Sequence, residues 1–249
     1  MPIVFTILKW IAFIVGGILG MTILFFLFFF ACCLLVSKNR EYEHDSPFYR
    51  RLMNCAIAVV CFYGRIHIHT SGMEKLPKSG RFLLVSNHLS NFDPILTWRV
   101  FRKHQIAYVS KPENLKIPFV GRIMRRLLCM SIDRENPRNA MSTINKAAVR
   151  LKNDEASIGI YPEGTRNKTN QLLLPFHNGV FKIAQKAGVP IVVMTIKGSN
   201  LIHKQFPLHA SPVSIDILDV LSVDYVKEHR NTDEIGERVR ALFETSLQR

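Results

Sequence analysis

Residues 81–94 read RFLLVSNHLSNFDP, and this stretch decides how the chain is organised. The apolar run Arg81–Ser86 is typical of a buried strand, and the polar residues after it indicate a short loop. Pro94 suits the first turn of a helix and Asp93 suits the position that caps it, so the loop should turn into a helix. A strand, a polar loop and a helix in this order predict one unit of an α/β sheet.

The same alternation of strands and helices continues along the chain. Further strands are predicted at Ile106–Ser110, Leu127–Ile132, Ser157–Tyr161, Pro190–Ile196 and Val213–Leu218. Apolar residues at helical spacing predict helices at Pro94–Lys103, Arg138–Asn153, Gly179–Ala187 and Thr232–Gln248. A chain of 249 residues can hold one such domain. We therefore expect the α/β class, with a mostly parallel sheet flanked by helices.

The first 36 residues differ from the rest because they are almost uncharged. Only Lys9 carries a charge there, and the 27 residues from Trp10 to Val36 carry none. At ~1.5 Å per residue they would form a helix of roughly 40 Å, longer than the ~30 Å hydrocarbon layer. A cleaved signal peptide is the alternative, but its apolar region is typically about 7–15 residues and no clear cleavage site follows. The pattern favours a retained membrane-anchor helix.

A basic segment separates this anchor from the first predicted strand. Lys38, Arg40, Arg50 and Arg51 lie close behind the anchor, and such residues favour the cytoplasmic side of a membrane. The apolar stretch Leu52–Tyr63 is too short to span a bilayer, so it should lie in the interface or pack on the domain. We therefore expect a membrane anchor at 1–36, a basic linker with an interfacial helix at 37–70, and a globular domain at 71–249.

Charge and cysteine content narrow the class of partner. The formal net charge is +14, which favours anionic lipid head groups and acidic proteins. Nucleic acid is the competing explanation, but a basic stripe interleaved with aromatic residues is not found, so no nucleic-acid partner is expected. The five cysteines are odd in number and form no CxxC pair, which argues against disulfides and zinc. No metal site is predicted.

Three polar loops follow predicted strands: SNHLSNFDP, SIDREN and YPEGTRN. In open α/β sheets, binding sites gather in loops at strand ends. In the first loop His88 and Asp93 are five residues apart and can turn toward each other. A carboxylate on one imidazole nitrogen leaves the other nitrogen free to act as a general base. The alternative is that Asp93 only caps the helix and His88 only binds the loop.

The other two loops carry groups that suit a phosphate. In YPEGTRN, Gly164 permits a tight backbone turn, Arg166 offers a planar fork, and Glu163 could orient that fork or a substrate hydroxyl. Arg134 in SIDREN and Lys111 after another strand could add cationic contacts. An ordinary turn, a surface ion pair and a solvated lysine are the alternatives. No G-x-S-x-G or nucleotide-binding motif occurs, which suggests that the hydroxyl of the substrate is itself the nucleophile.

Together these blocks resemble the glycerolipid acyltransferase family, which includes the 1-acylglycerol-3-phosphate acyltransferases. The resemblance covers roughly residues 72–198. The matching blocks are N-H-x-x-x-x-D at Asn87, His88 and Asp93, I-D-R at Ile132 to Arg134, P-E-G-T-R at Pro162 to Arg166, V-P-I at Val189 to Ile191, and a K-x-E-like pattern at Lys111, Glu113, Pro118 and Gly121. The chain departs from the family at Leu128, where glycine is common, at His177, where lysine is common, and at Val193, where a second proline is common.

The resemblance implies an acyl transfer at the membrane, with the domain on the cytoplasmic side. His88 and Asp93 would be catalytic: the base would deprotonate a lysophospholipid hydroxyl, which attacks an acyl thioester directly. Coenzyme A or acyl carrier protein would carry the acyl group as co-substrate, and no further cofactor is expected. An apolar tunnel for the acyl chain should open beside the pair. The residues implied in substrate binding are Lys111, Arg134, Glu163, Gly164, Thr165 and Arg166.

Within this resemblance, we expect phosphatidic acid to be made from lysophosphatidic acid. Acylation of another lysolipid is a close alternative, and a non-enzymatic module that binds lipid or phosphate at the membrane is a more distant one. The enzyme requires the pair and room for an acyl chain, whereas the binding module requires no such pair.

Overall fold

The computed structural model describes residues 2–133 and 136–248. The strands in these residues are β1 Ile66–Ser71, β2 Leu83–Ser86, β3 Ile106–Ser110, β4 Met130–Ser131, β5 Ser157–Ile160, β6 Ile191–Lys197 and β7 Ser211–Leu221. They form one sheet in the order β1-β7-β6-β2-β5-β3-β4. The five strands from β6 to β4 are parallel, while β7 lies antiparallel to β6 and β1 lies parallel to β7. The predicted mostly parallel α/β sheet is confirmed.

Helices cover both faces of the sheet because its central strands are apolar on both sides. Leu83 and Val85 of β2 face one apolar core, and Leu84 between them faces the other. The helices are α1 Pro2–Leu34, α2 Pro47–Tyr63, α3 Phe92–Val100, α4 Val120–Arg126, α5 Pro137–Lys152, α6 Lys182–Ala187, α7 Ile202–Gln205, α8 Val223–Glu228 and α9 Thr232–Leu247. One core contains residues of α5, α6, α8 and α9, and the other contains residues of α1, α2, α3, α4 and α7.

The strand predicted at Leu127–Ile132 is shorter in the structure. Only Met130 and Ser131 pair with β3. Leu127 closes α4, and Leu128 has a φ of +64°, which turns the chain before the strand begins. The apolar run at 127–132 therefore has two parts, a helix end and a short edge strand. Both parts are buried, so apolar character alone could not separate them in the sequence.

Strand β1 was not predicted from the sequence. Its residues, IHIHTS, include two histidines, and only Ile66 is buried. β1 is the edge strand beside β7, so one long side of it and most of its side chains face solvent. The predicted division between residues 70 and 71 falls inside this strand.

The long first helix is packed against the second at one end. α1 has 33 residues, about 50 Å of helix, and Ile3–Leu34 is long and apolar enough to cross a membrane by length and composition. The Tyr49 hydroxyl donates to the Cys32 carbonyl at 3.0 Å, and the Tyr63 hydroxyl lies 2.7 Å from Thr22 Oγ1. Early α2 thus contacts late α1 and late α2 contacts mid α1, so the two helices are antiparallel.

Helix α2 packs on the domain, one of the two placements expected for it. Leu52, Ala56 and Ile57 are buried in the core that also contains α3 and α4. The Arg50 guanidinium donates from Nη1 to the Ile106 carbonyl at 2.7 Å and pairs through Nε with Asp45 at 2.8 Å. These contacts fix the α1–α2 pair to the sheet.

Candidate active site

Three neighbouring strands bring their following loops together at one edge of the sheet. β5, β2 and β6 are adjacent and parallel, so their carboxyl ends meet at the same edge. His88 follows β2, Glu163 follows β5 and Ser199 follows β6. Ligands of open α/β sheets bind at such an edge. We refer to it below as the active-site edge.

His88 and Asp93 form a direct contact at this edge. Nδ1 of the imidazole lies 2.7 Å from Oδ2 of the carboxylate. The His88 side chain is 17% exposed, whereas Asp93 is fully buried. A carboxylate can only accept, so Nδ1 donates to it and the lone pair of the neutral ring lies on Nε2. Nε2 makes no hydrogen bond with a described residue. The pairing predicted from the i,i+5 spacing is confirmed.

The sequence suggested that Asp93 caps the helix, but the structure places another residue at that position. The cap position of α3 is Asn91, and Asp93 lies one position further in than the first helical residue. Its Oδ2 also accepts from the backbone amides of Leu89 at 2.7 Å and Ser90 at 2.8 Å. Its Oδ1 accepts from the hydroxyl of Ser199. Every contact stabilises the ionised carboxylate, which also sits where the helix dipole favours negative charge.

The start of this loop is fixed by Asn87. Its side chain continues the sheet beyond β2, because Nδ2 donates to the Ile196 carbonyl at 3.0 Å and Oδ1 accepts from the Ile196 amide at 2.8 Å. Asn87 is almost fully buried. The loop after β2 is therefore bonded to β6 before the chain reaches His88.

Glu163 joins the loop after β5 to the loop of His88. Its Oε1 accepts from the His88 amide and its Oε2 from the Leu174 amide, both at 2.9 Å. The Asn167 amide donates to the His88 carbonyl at 2.7 Å, so the two loops are bonded in both directions. Burial raises the pKa of Glu163, and the two amide donors offset part of the rise. Both carboxylate oxygens of Glu163 accept hydrogen bonds from backbone amides, so a direct role of Glu163 in substrate binding stays a prediction.

Tyr161 supports the imidazole from one side. The two rings stack with centroids 4.0 Å apart and planes within 13° of each other, and Tyr161 in turn lies parallel to Tyr108. Burial raises the pKa of both tyrosines, so both hydroxyls stay neutral. The stack limits rotation of the His88 ring about its Cβ–Cγ bond.

Sequence reasoning missed the roles of Ser199 and Tyr161. Tyr161 was placed at the end of a strand, and its apolar ring gave no sign of a site. Ser199 lies 106 residues beyond Asp93 and belongs to none of the quoted blocks. The available signal for Ser199 was its position three residues after the predicted strand Pro190–Ile196.

The predicted cationic and loop residues that the structure describes, which exclude Arg134, lie at or near the same edge. Gly164 has a φ of +72°, a backbone conformation that suits glycine, and its amide donates to the Tyr161 carbonyl at 2.9 Å. Arg166 is half-buried and makes no hydrogen bond or ion pair with another described residue, and Thr165 is exposed. Lys111 directly follows β3 and is exposed. Arg134 lies outside the described residues.

His177 is bonded to the same loop through its backbone. Its amide donates to the Pro162 carbonyl at 2.8 Å, and its side chain is exposed. No hydrogen bond of its ring is found within residues 2–133 and 136–248.

Two cavities of the described residues lie away from the site, and no metal-binding group is found among those residues. Two cavities lie at the opposite edge of the sheet, one beside Arg50 and Trp98 and one beside Arg81 and Asp154, and His88 lines neither. The apolar tunnel expected beside the pair stays a prediction. Among the described residues, no three or more His, Cys, Asp or Glu side chains are grouped so that they could hold a metal ion.

Comparison with known proteins identifies this arrangement. A family model described as Acyltransferase matches residues 67–197, which include nearly all of β1, the strands β2 to β6 and the loops of His88 and Glu163. The chain belongs to the acyltransferase family. The match begins inside β1, so the family domain includes the edge strand that the sequence did not predict.

Individual relatives of this acyltransferase carry a more specific name. The 1-acyl-sn-glycerol-3-phosphate acyltransferase of Borreliella burgdorferi is 27% identical over 199 residues, covering 78% of each chain. The protein of the same name from Salmonella typhimurium is 30% identical over 169 residues, covering 68% of this chain and 67% of the relative. The crystal structure of the 1-acyl-sn-glycerophosphate (LPA) acyltransferase, PlsC, from Thermotoga maritima matches with a TM-score of 0.61 at 23% identity, covering 80% of each chain, and supports the same fold.

Proposed function

We propose that this acyltransferase is membrane-anchored and transfers an acyl chain from an acyl thioester to the free sn-2 hydroxyl of lysophosphatidic acid, giving phosphatidic acid. The names of its relatives support the acceptor. The observation that carries the proposal is the 2.7 Å contact between His88 and the buried carboxylate of Asp93. The donor is an acyl thioester of coenzyme A or of acyl carrier protein, and no other cofactor takes part.

The proposed reaction needs no acyl-enzyme intermediate. Nε2 of His88 accepts the proton of the acceptor hydroxyl while that oxygen bonds to the thioester carbonyl carbon. The carbon–sulfur bond then breaks, and the leaving thiolate takes the proton back from the imidazolium. Asp93 stabilises the imidazolium through the Nδ1 contact. Positioned base catalysis of this kind is worth about 10²–10⁴-fold in rate.

The acceptor phosphate is the proposed ligand of the cationic residues. Arg166 offers its planar fork to phosphate oxygens, and no described carboxylate competes for it. Lys111 and Arg134 are proposed to add charge from the loops after β3 and β4. Gly164 and Thr165 would shape the same pocket with a backbone turn and a hydroxyl.

Membrane anchoring places the enzyme where its acceptor resides. α1 is proposed to cross the bilayer, with the catalytic domain on the cytoplasmic side because basic residues follow the anchor. A donor thioester would reach the site from solution. Acyl carrier protein is acidic, and a chain of formal charge +14 would attract it.

The test is turnover of labelled lysophosphatidic acid by the purified full chain, with each donor in turn. His88→Ala should lower kcat by about 10²–10⁴-fold. His177→Ala is the matched control, because it removes an exposed imidazole bonded to the same loops only through its backbone. If His88→Ala and the unaltered chain form phosphatidic acid equally fast, the catalytic assignment fails.

An acceptor panel tests the two alternatives to this assignment. Faster turnover of another lysolipid would replace the proposed acceptor while keeping the mechanism. Lipid binding without turnover of any acceptor would favour the non-enzymatic module.

A further inference from the structure

The connection between β6 and β7, residues 198–210, carries apolar side chains that the domain does not cover. Leu201 is 40% exposed, Phe206 is 52% exposed and Leu208 is 75% exposed. Ile202, in contrast, is fully buried in the core that contains α2 and α3. The connection is therefore held to the domain by Ile202 and presents Phe206 and Leu208 outward. Apolar surface gathered in this way marks an interaction site more often than scattered surface residues do.

This connection lies at the active-site edge. β7 is antiparallel to β6, with Lys197 opposite Ser214, so β7 begins where β6 ends. β1 is parallel to β7, with Ile66 opposite Ser211, so β1 also begins at that edge. The loop of Ser199 and the tip at Leu208 therefore belong to one connection on one side of the molecule.

A fourth exposed apolar residue lies beside the connection. Phe62, in the last turn of α2, is 75% exposed. Arg65 connects it to Leu208: the Arg65 amide donates to the Phe62 carbonyl at 3.1 Å, and its Nη1 donates to the Leu208 carbonyl at 2.9 Å. We call Phe62, Leu201, Phe206 and Leu208 the apolar rim.

The anchor helix leaves the domain at this rim. Thr22 of α1 contacts Tyr63, the last residue of α2 and the neighbour of Phe62. Because α1 and α2 are antiparallel, residues 2–21 of α1 continue beyond the end of α2. Twenty helical residues measure about 30 Å, the thickness of a hydrocarbon layer. A bilayer that holds this part of α1 would meet the domain at the rim.

The charge of the connection suits an anionic lipid surface. His203, Lys204 and His209 are exposed, and residues 198–210 include no Asp or Glu. Exposed apolar side chains with basic neighbours are the features that bind interfacial segments to anionic head groups. A water-exposed loop has no need of this combination.

We propose that the apolar rim is a second membrane contact, in which Phe206 and Leu208 insert among anionic lipids and hold the active-site edge against the bilayer. The anchor alone fixes one point of the domain, whereas the anchor and rim together fix its orientation. His88 would then face the surface from which a lipid acceptor enters. The inference rests on the anchoring part of the proposed function and is independent of the reaction.

The experiment measures lipid contact directly, without turnover. The full chain, with Cys55→Ser and Cys61→Ser to remove the cysteines that are not buried, receives one new cysteine for an environment-sensitive fluorophore. Phe206→Cys and Leu208→Cys report on the rim. Val149→Cys is the matched control, since Val149 is 54% exposed on α5 on the other face of the sheet. Ile14→Cys reports separately on the anchor.

Each protein is placed in nanodiscs of anionic lipid, a fraction of which carries a nitroxide near the head group. We expect quenching of the probes at 206 and 208 to exceed that at 149 by about twofold or more, and to weaken when zwitterionic lipid replaces anionic lipid. Quenching at 14 with none at 206 or 208 would overturn the rim contact and leave the anchor intact. A rim probe that responds to acyl carrier protein but not to lipid would identify a different occupant and also overturn the proposal.

Discussion

The hydroxyl of Ser199 donates to Oδ1 of Asp93, and both side chains are fully buried. This bond leaves Oδ2 for His88 and for the amides of Leu89 and Ser90. The two oxygens of one carboxylate thus have separate partners, one from the loop after β6 and the others from the loop after β2. Ser199 acts on the imidazole only through Asp93, which makes it a positioning residue.

Ser199→Ala should lower kcat by about tenfold or more and leave KM for the acceptor nearly unchanged. Hydrogen bonds to charged groups contribute roughly 1.5–3 kcal/mol to stability. Without the Ser199 donor, the Asp93 carboxylate is free to rotate away from His88. Steady-state kinetics give the kcat and KM values. The far-downfield proton resonance of His88 Nδ1–H should also move, which a general loss of stability would not cause.

Ser211→Ala is the control for this substitution. Ser211 is equally buried at the start of β7, and its hydroxyl has no hydrogen-bond partner within residues 2–133 and 136–248. Its removal should leave kcat and the His88 resonance unchanged. Equal losses in the two alanine variants would mean that Ser199 contributes only to packing.

Asp93→Asn should reduce kcat far more than it reduces thermal stability. The amide oxygen can take the place of Oδ2 and keep all three donors, while the amide nitrogen faces Ser199, whose hydroxyl can rotate to accept. The contacts therefore survive and the negative charge is lost, so the imidazolium formed during transfer is no longer stabilised. We expect kcat to fall by about 10²–10⁴-fold. A kcat near that of the unaltered chain, in a protein with an unchanged melting temperature, would show that the charge is not needed.

The contacts of Glu163 predict a pH dependence of stability. Burial raises the pKa of Glu163 above its ordinary value of 4.5 in the folded protein. When folding raises the pKa of a carboxyl group, the ionised form of that group lowers the free energy of unfolding. This destabilisation is present at neutral pH and disappears as pH falls through the raised pKa toward 4.5. The unaltered chain should therefore gain melting temperature relative to Glu163→Gln between pH 7 and about pH 4.5.

The glutamine variant also loses one amide contact, but that loss is the same at every pH. A difference for Glu163→Gln that is flat, or that shrinks on acidification, contradicts the predicted direction.

The sequence predicted those parts of the fold that depend on local pattern. Alternation of apolar strands with amphipathic helices was sufficient for the central sheet and for α5 and α9. It was not sufficient for β1, because an edge strand buries one residue of six and leaves no apolar pattern to read. Gly121 shows the reverse case, because its place in a motif was recognised from sequence but the reason for a glycine was not. A Cβ added at this position would lie only 2.0 Å from the Leu115 carbonyl oxygen, which coordinates alone reveal.

The candidate site divides in the same way. His88 and Asp93 could be paired from sequence because they are five residues apart within one loop. Ser199 could not be added, because a contact across 106 residues depends on the order of strands in the sheet. Glu163 was placed at the site for its charge, yet the structure engages both its oxygens with backbone amides, a use that sequence does not distinguish from ligand binding.

Arg166→Ala should raise KM for lysophosphatidic acid by about tenfold while changing kcat less, since the guanidinium is proposed to bind the phosphate and not the reacting atoms. Arg166→Lys should recover only part of the loss, because an ammonium keeps the charge without the planar fork. Lys168→Ala removes an equal charge two residues away at an exposed position and should have little effect. A monoacylglycerol acceptor, which lacks the phosphate, should be turned over equally by the unaltered chain and Arg166→Ala. If Arg166→Ala impairs both acceptors to the same degree, the guanidinium supports the loop of Glu163 and does not recognise phosphate.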